Sequence, residues 1–291
     1  MKEGILLKRY GGFYFVKSEG LLWECTLRGK FRKMKQDFFP GDKVLVNVFD
    51  DHKGVIEGVL PRINLLRRPP VANVEQVLVV FAFFAPDPDF LLLDRLLIMA
   101  QHEKVHPVIC FTKADTVDQS IISETIKGYQ KAGYQTVVTS SKNGLGIKEV
   151  RFLLKNRISV FAGPSGAGKS SLLNALQPGL RLKTGDVSEK IGRGRHTTRH
   201  VELLELEFAG LVADTPGFSS LDLPDITKEE LQNYFPEISK RAGCCRFTSC
   251  LHNLEPDCSV KEALVANEID YERYWRYLIF LQEVMEKERR Y

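Results

Sequence analysis

A glycine-rich segment at residues 163–171 constrains the fold of this chain more than any other part of the sequence. An apolar run at 158–162 predicts a buried strand before it, and the run at 172–176 predicts a helix after it. A strand, a Gly-x-x-x-x-Gly-Lys-Ser loop and a helix in this order are typical of a P-loop. The alternative, an ordinary glycine-rich turn, would not require all three fixed positions to be filled. The segment consists of Gly163, Pro164, Ser165, Gly166, Ala167, Gly168, Lys169, Ser170 and Ser171.

A P-loop binds phosphate groups mainly through its backbone. The glycines let several N–H groups approach one phosphate without clashes from Cβ atoms, and the following helix adds its positive end. We expect Lys169 to reach the β- and γ-phosphates and the Ser170 hydroxyl to bind Mg²⁺. The segment therefore predicts a nucleoside triphosphate as ligand, but it leaves the base and the reaction open.

Length and composition exclude several classes of protein. A chain of 291 residues, 44% of them apolar, predicts a soluble protein of two or three domains. The N-terminus has too short an apolar run for a secretory signal, and no stretch reaches the roughly 18 apolar residues of a membrane span. We therefore expect a cytoplasmic location and no membrane partner. In that compartment, the six cysteines predict thiols or metal ligands rather than disulfides.

The first 68 residues predict a small all-β domain. Five short apolar runs alternate with turn residues, which favours a five-stranded barrel of the OB-fold type. Residues 1–68 contain 14 Lys and Arg but only 8 Asp and Glu, so this region is more basic than the whole chain, whose net charge is +4. The uneven charge indicates a nucleic-acid partner. Residues 62–73, at the end of this region, contain two prolines and predict a semi-rigid linker to the following domain.

Residues 28–35 form the most basic part of the predicted barrel. Five of the eight residues are cationic, and Phe31 and Met34 lie between them. Cations can neutralise phosphates and an aromatic ring can stack on a base. A solvated loop that only keeps the protein soluble is the alternative, and the barrel setting favours RNA.

Residues 69–222 predict an α/β domain, because strands and helices alternate along them as in a parallel sheet covered by helices on both faces. One predicted strand ends in a motif similar to the Asn-Lys-x-Asp motif of GTPases. An aspartate there can accept two hydrogen bonds that guanine offers and adenine does not. A strand ending at an ordinary helix N-cap is the alternative. The motif consists of Thr112, Lys113, Ala114 and Asp115.

A second predicted strand ends in a loop similar to the one that meets the guanine carbonyl group in GTPases. By itself this pattern is weak, since any turn that contains glycine could produce it. The loop begins with Ser140, Ser141 and Lys142.

Two segments after the P-loop resemble the switch regions of GTPases. The first lies at 192–200 and contains Thr197 and Thr198, one of which we expect to complete the coordination of Mg²⁺. The sequence does not choose between the two threonines. The second begins at Asp214, which we expect to hold Mg²⁺ through water, and its Gly217 N–H can bond the γ-phosphate.

The residue after Gly217 is Phe218, at the position where Ras-like GTPases have the glutamine that orients the attacking water. A phenylalanine cannot orient water. We therefore expect slow basal hydrolysis, with the water positioned by another group, either His196 or a partner.

The motifs run in the order base motif, base loop, P-loop, first switch and second switch. Ordinary GTPases have the P-loop first, so this order predicts a circularly permuted GTPase domain. Permutation is tolerated where the original termini lie close together. One consequence is that the second switch leads directly into the C-terminal region.

Residues 223–291 predict a mainly helical domain with a metal site. Four residues close together in sequence offer the ligands of a tetrahedral structural zinc site; they are Cys245, Cys250, His252 and Cys258. Cys244 could replace Cys245, and reduced core cysteines beside a chance histidine are the alternative. A helix is expected from about residue 260, with one apolar face made of Tyr271, Tyr274, Trp275 and Leu278.

Over nearly its whole length, the chain resembles the RsgA (YjeQ) family. The resemblance rests on the P-loop, the Gly-Arg-His-Thr-Thr segment, the Asp-Thr-Pro-Gly-Phe segment, the permuted order and the Cys-His cluster. The resemblance implies an OB-fold domain at 1–68, a permuted GTPase domain at 69–222 and a zinc domain at 223–291. It also implies hydrolysis of GTP with Mg²⁺, stimulated by the small ribosomal subunit and its rRNA during late maturation of that subunit. We expect a monomer.

The same resemblance implies that switch residues after the P-loop carry catalysis, and His196 matches the histidine of the family's motif. The catalytic residues are thus expected to be Lys169, His196, Thr197 and Thr198.

Two other functions remain open from the residues alone. One is a P-loop kinase or ATPase that acts on a small molecule, which would have no need of the guanine motif. The other is a binding module with a structural nucleotide, which two intact switch motifs oppose.

Overall fold

Thirteen strands and seven α-helices are present in the part of the chain that the computed structural model describes, which is residues 1–29, 31, 36–49, 52–67, 69–180, 201–214 and 222–289. The strands are β1 Lys2–Tyr10, β2 Phe13–Ser18, β3 Leu21–Leu27, β4 Lys43–Val48, β5 Lys53–Val59, β6 Leu65–Arg67, β7 Pro70–Ala72, β8 Gln76–Ala82, β9 His106–Thr112, β10 Gln135–Val138, β11 Ile158–Ala162, β12 Glu202–Glu205 and β13 Leu211–Asp214. The helices are α1 Phe90–His102, α2 Gln119–Ala132, α3 Ile147–Leu154, α4 Lys169–Leu176, α5 Pro236–Ala242, α6 Ser259–Val265 and α7 Tyr271–Glu288. Short 3-10 turns lie at Ala114–Thr116, Pro178–Leu180 and Leu231–Tyr234.

The chain divides into two compact units, and each combines segments that are distant in sequence. The first comprises Met1–Leu78, Lys148–Ser165 and Lys169–Ser220, and the second comprises Val79–Ile147, Gly166–Gly168 and Leu221–Tyr291. The three domain boundaries expected from the sequence stay a prediction. None of the described helices combines the length and the apolar character that a bilayer-spanning helix needs.

The first five strands close into a barrel. Strands β1, β2 and β3 pair antiparallel in sequence order, β3 pairs parallel with β5, and β5 returns antiparallel to β4. The antiparallel pairing of β4 with β1 completes the barrel. Alternate residues point inward and pack a core that includes Leu6, Val16 and Ile56. Five strands closed in this order confirm the predicted OB-like barrel.

Phe31 contradicts the interpretation of the basic segment as one with an exposed aromatic ring for base stacking. Its side chain is buried in the barrel core, and its ring centroid lies 5.4 Å from that of Phe38. Burying a phenylalanine contributes about 1.5–3 kcal/mol, so the ring stays inside although cations flank it in sequence. Met34 and most of those cations lie outside the described residues.

The predicted linker forms a packed hairpin of β6 and β7. The N–H of Ala72 donates to the carbonyl of Pro40 at 2.8 Å, and the side-chain amide of Asn73 donates to the carbonyl of Gly41 at 2.8 Å. A Cβ on Gly41, whose φ is +92°, would lie 2.0 Å from the Ala72 carbonyl oxygen. Only glycine permits this approach of two backbones, which ties the hairpin to the barrel.

The first unit also contains a parallel pair that leads toward the P-loop. Strands β11 and β13 are parallel, and β12 runs antiparallel beside β13. Strand β12 in turn meets β1 of the barrel, where Lys8 is opposite Glu202 and their side chains form an ion pair at 2.7 Å. A second ion pair joins Lys17 to Glu205. The barrel thus extends the sheet of the nucleotide domain through its first strand.

The second unit contains β9 and β10, which are parallel, and the greater part of β8 next to β9. All seven residues of β8 are buried, as expected for a strand of a parallel sheet that is covered on both faces. Helix α1 follows β8 and carries the buried Asp94, whose carboxylate accepts hydrogen bonds from Arg273 at 2.5 Å and Arg276 at 2.6 Å of α7. Charged groups in the interior therefore connect α1 to the C-terminal helices.

The C-terminal region differs from the expectation in the length and the face of its helices. Two helices, α6 and α7, replace the one expected from about residue 260. Tyr271 and Trp275 are exposed, whereas Tyr274 is buried. The predicted face was wrong because Arg273 and Arg276 lie on the buried side, where their acidic partners compensate the loss of hydration.

Candidate nucleotide and metal sites

The predicted P-loop lies between strand β11 and helix α4, in the context that the sequence predicts. Strand β11 ends at Ala162 and α4 begins at Lys169. The three glycines of the loop have positive φ angles, +131° at Gly163, +78° at Gly166 and +91° at Gly168. Other residues rarely adopt such angles, so these glycines allow the sharp turns by which the loop reverses between strand and helix.

Lys169 folds back over its own loop. Its Nζ donates to the carbonyl of Gly163 at 2.8 Å and to the carbonyl of Pro164 at 2.7 Å. Burial lowers the pKa of Lys169 below its ordinary value. An anionic phosphate oxygen would be a stronger partner for this partly buried cation than a neutral carbonyl. The geometry therefore fits a lysine that turns to phosphate when a nucleotide binds.

Asp214 lies at the end of the sheet from which the P-loop begins. In the parallel pair of β11 and β13, Val160 is opposite Ala213, and Asp214 is the next residue of β13. The backbone of Asp214 is therefore at the same sheet edge as Ala162, which leads into the loop. Ser170 is in the first turn of α4, after the loop. This placement fits a magnesium site, since Mg²⁺ in such enzymes is shared by the P-loop hydroxyl and an aspartate at a strand end.

Three predicted catalytic residues, His196, Thr197 and Thr198, lie outside the described residues, as does Gly217, the predicted contact of the γ-phosphate. Their roles stay predictions.

Thr112, the first residue of the base motif, contacts the P-loop directly. Its buried hydroxyl donates to the carbonyl of Ala167 at 2.5 Å. A Cβ at Gly168 would lie 3.1 Å from the same hydroxyl oxygen, so the loop backbone and Thr112 are closely packed. The threonine stands where the GTPase motif has asparagine, and its hydroxyl connects the base motif to the phosphate loop.

Asp115 is brought together with the second base loop. Its Oδ1 accepts a hydrogen bond from the Ser140 hydroxyl at 2.5 Å, and Lys142 Nζ lies 3.9 Å from Oδ2. The Ser140 hydrogen bond holds the pKa of Asp115 below its ordinary value. The Ala114 N–H also donates to the Thr139 carbonyl at 3.1 Å. The two motifs, which are 25 residues apart in sequence, therefore form one cluster with an ionised carboxylate.

Sequence reasoning missed the loop after β8. Lys113 adopts a left-handed conformation with φ +57°, and its Nζ donates to the carbonyl of Ala85. A Cβ on Gly166 would lie 3.3 Å from Cδ of Pro86. No motif marks Ala85 and Pro86, and only the fold places them against both the base motif and the P-loop.

The predicted metal ligands Cys245, Cys250, His252 and Cys258 converge, and their ligand atoms all lie within 4.8 Å of one another. The Cys245 sulfur is 3.8 Å from the Cys258 sulfur and 3.5 Å from Nδ1 of His252, which is 3.4 Å from the Cys258 sulfur. Tetrahedral bonds to zinc would separate two sulfurs by about 3.8 Å and a sulfur and a nitrogen by about 3.6 Å. The four residues therefore fit a structural zinc ion.

The surroundings of His252 support the same assignment. Its Nε2 donates to Oε1 of Gln232 at 2.8 Å, which leaves the lone pair of Nδ1 for a metal. Burial lowers the pKa of His252, so the ring is neutral, as a metal ligand must be. Cys244 is exposed and lies outside the cluster, which resolves the choice between Cys244 and Cys245. No sequence pattern indicated Gln232.

We expect the substitution Cys258→Ser to remove the zinc and destabilise the C-terminal helices. Cys258 immediately precedes α6, so loss of this thiolate releases the N-terminal end of a helix as well as the metal. Zinc content should fall far below about one ion per chain, and Tm should fall by on the order of 10 °C. Atomic absorption and thermal unfolding measure the two effects. The exposed Cys244→Ser is the matched control and should change neither; full zinc content in Cys258→Ser would refute the ligand assignment.

Comparisons with known proteins cover nearly the whole chain. The family model described as RsgA GTPase matches residues 59–224, and that of the RsgA N-terminal domain matches residues 3–56. A protein of Moorella thermoacetica named Small ribosomal subunit biogenesis GTPase RsgA is 54% identical over 99% of both chains. A protein of Geobacillus with the same name is 47% identical over the full length of both.

Two solved structures share the fold. YjeQ from Thermotoga maritima superposes with a TM-score of 0.85 at 38% identity, over 98% of each chain. YloQ, described as a circularly permuted GTPase, superposes with a TM-score of 0.83 at 37% identity, over 99% of this chain and 96% of its own. With the permuted motif order, the OB-like barrel and the Cys-His cluster already established, these matches leave one assignment. The chain belongs to the RsgA GTPase family, and it is a circularly permuted GTP hydrolase that uses Mg²⁺ and has a structural zinc site.

Proposed function

We propose that this GTPase binds the small ribosomal subunit and hydrolyses GTP in response to that binding, during late maturation of the subunit. The observation that carries the guanine specificity is the cluster of Asp115, Ser140 and Lys142, joined to the P-loop through Thr112 and Ala167. Full-length relatives named for small-subunit biogenesis support the choice of partner.

The proposed roles of the site residues follow the sequence motifs. Lys169 and the backbone of 163–171 hold the phosphates, while Ser170 and Asp214 hold Mg²⁺. Lys113 and Asp115 bind the guanine ring, and the loop of Ser140, Ser141 and Lys142 meets its carbonyl. The Gly217 N–H senses the γ-phosphate. His196, Thr197 and Thr198 carry the catalytic roles, together with Lys169.

The partner is proposed to be rRNA within the subunit. The barrel region is the most basic part of the chain, and cationic surfaces bind phosphate backbones with little dependence on sequence. A protein that acts on ribosomal subunits works in the cytoplasm, and we propose that it acts there as a monomer.

We expect small ribosomal subunits to raise GTP turnover by at least about tenfold over a slow basal rate, because Phe218 cannot orient water and a partner must complete the site. Phosphate release from GTP and from ATP, each with and without purified small subunits, measures this. Large subunits and a Lys169→Ala variant are the controls and should show no stimulation. If small subunits left the rate of GTP hydrolysis unchanged, the ribosomal role would be refuted. A preference for ATP over GTP would refute the assignment of guanine as the base.

A further inference from the structure

Helix α3 of the first unit presents a phenylalanine to solvent between cationic residues. Phe152 is 79% exposed, although Val150, Leu153 and Leu154 anchor the other side of the same helix in the core. Lys148 and Phe152 are four residues apart on α3 and are therefore neighbours on one face of the helix. Lys155 directly follows the last residue of the helix, and its N–H donates to the carbonyl of Phe152 at 3.4 Å. The two lysines are exposed, and within the described part of the chain neither has an ion-pair partner.

A second aromatic ring and two arginines adjoin this face. The guanidinium of Arg151 stacks over the ring of Phe208 with Cζ 5.0 Å from the ring centroid, and it donates to the carbonyl of Leu176 at 2.8 Å. The exposed Arg157 follows the helix and donates to the side chain of Gln76 at 3.1 Å. Hydrogen bonds to the rest of the unit therefore hold both arginines in place.

The turn that carries Phe208 is fixed against the end of α3. The N–H of Asn156 donates to the carbonyl of Ala209 at 2.8 Å, and the Leu211 N–H donates to the carbonyl of Arg157 at 2.9 Å. A Cβ on Gly210 would lie 2.5 Å from the carbonyl oxygen of Leu154, so the two segments are in close contact. The positions of Phe152 and Phe208 are thus set by packed backbone.

We propose that this surface, defined by Lys148, Arg151, Phe152, Lys155 and Phe208, is an RNA contact of the GTPase domain. It would bind an unpaired nucleotide of the small-subunit RNA, with the base stacked on the ring of Phe152 and the flanking phosphates on Lys148 and Lys155. An exposed ring between cations has the chemistry of single-stranded RNA binding, where aromatic stacking and phosphate neutralisation act together. Two exposed carboxylates also border the surface: Glu149 lies three residues before Phe152 on α3, and Glu207 directly precedes Phe208.

This inference rests on the proposed ribosomal function and adds a contact separate from the barrel. The exposed ring of Phe152 could also contact a protein partner. The cations on both sides of Phe152 favour a polyanion such as RNA instead. The surface also lies outside the nucleotide-binding residues, so its variants should leave basal GTP hydrolysis unchanged.

The test measures the affinity of the full-length protein, loaded with a non-hydrolysable GTP analogue, for purified small subunits. Phe152→Ala should weaken binding about 10-fold, as expected for loss of one stacked base. Lys148→Gln with Lys155→Gln should reduce the slope of log affinity against log salt by roughly 1.4, because two phosphate contacts to single-stranded RNA are lost. The matched control is Lys127→Gln with Lys131→Gln on α2, which removes the same charge from another exposed helix.

The class of partner is identified by a photoreactive benzoylphenylalanine placed at position 152. Irradiation with subunits should attach the protein to rRNA. Attachment to ribosomal protein alone, or wild-type affinity and salt dependence in both variants, would overturn the inference. Failure of the wild-type protein to bind subunits would instead refute the proposed function, so the two failures are distinguishable.

Discussion

Asp94→Ala is expected to lower the free energy of unfolding by about 3–5 kcal/mol, because it leaves buried cations without a partner. Arg273 is buried between Asp94 and Glu237, with Nη1 2.5 Å from the first carboxylate and Nε 2.7 Å from the second. Arg276 donates to the other oxygen of Asp94 at 2.6 Å. A single substitution on α1 therefore breaks two charged contacts of α7.

The surroundings of Arg273 make this loss severe. Burial would by itself lower the pKa of Arg273, but the charges of Asp94 and Glu237 outweigh it and hold the pKa above its ordinary value. The rings of Tyr129, Tyr134 and Phe235 lie 5.1, 5.3 and 4.9 Å from the guanidinium carbon, so water has little access to the cation. The guanidinium stays charged in the variant and has one fewer anion beside it.

Urea unfolding followed by circular dichroism measures the effect. Asp225→Ala is the matched control, because Asp225 forms an exposed ion pair with Lys287 at 3.1 Å and should contribute less than about 1 kcal/mol. A loss below about 1 kcal/mol in Asp94→Ala would show that the buried network does not join α1 to the C-terminal helices energetically.

Asp115→Ala is expected to weaken GTP binding by about 100-fold or more, since both charge-assisted hydrogen bonds to the guanine ring are lost. Asp115→Asn should shift the preference from GTP to xanthosine triphosphate, because the amide can donate to the carbonyl that replaces the guanine amino group. Calorimetric titration with GTP and with xanthosine triphosphate measures these affinities. Asp118→Ala is the matched control, since the Asp118 side chain makes no capping hydrogen bond with the helix that follows it.

The pH dependence of GTP binding follows from the same carboxylate. Ser140 holds the pKa of Asp115 below its ordinary value, so the ionised form that accepts from guanine is present at neutral pH and persists into the acid range. Affinity for GTP should therefore be constant from neutral pH down to the ordinary carboxyl range and should fall as the pH drops through the lowered pKa. Ser140→Ala should move this fall to higher pH. Unchanged GTP affinity in Asp115→Ala, or an unchanged pH profile in Ser140→Ala, would exclude these roles.

Local patterns in the sequence predicted most of the elements that form the nucleotide site. Strand β11 has the predicted residues because four of its five side chains are apolar and a glycine follows it, a pattern that favours a buried strand. Thr227 and Glu230, three residues apart, also form a capping box with two reciprocal hydrogen bonds between side chain and backbone. These features depend on neighbours a few residues away, which a sequence shows directly.

Predictions of side-chain exposure were wrong where the type of a residue suggests one environment and its contacts in the fold impose another. Phe31 was interpreted as a stacking residue because cations surround it in sequence, but the barrel core lies on its other side. The apolar face predicted for α7 was wrong because Arg273 and Arg276 lie on its buried side, where acidic groups of distant segments pair with them. No periodicity within α7 could reveal those acids.

The sequence by itself determined the P-loop, the two base motifs, the permuted order and three of the four metal ligands, since each depends on residue types at short, fixed spacings; the structure chose Cys245 over Cys244 as the fourth ligand. Only the tertiary structure decided that Thr112 binds the Ala167 carbonyl, that Gln232 orients His252 and that β12 pairs with the first strand of the barrel. These contacts join residues that are 20 to 194 positions apart. Partners at such separations meet only when the packing of the whole chain brings them together, so spacing along the sequence carries no signal for them.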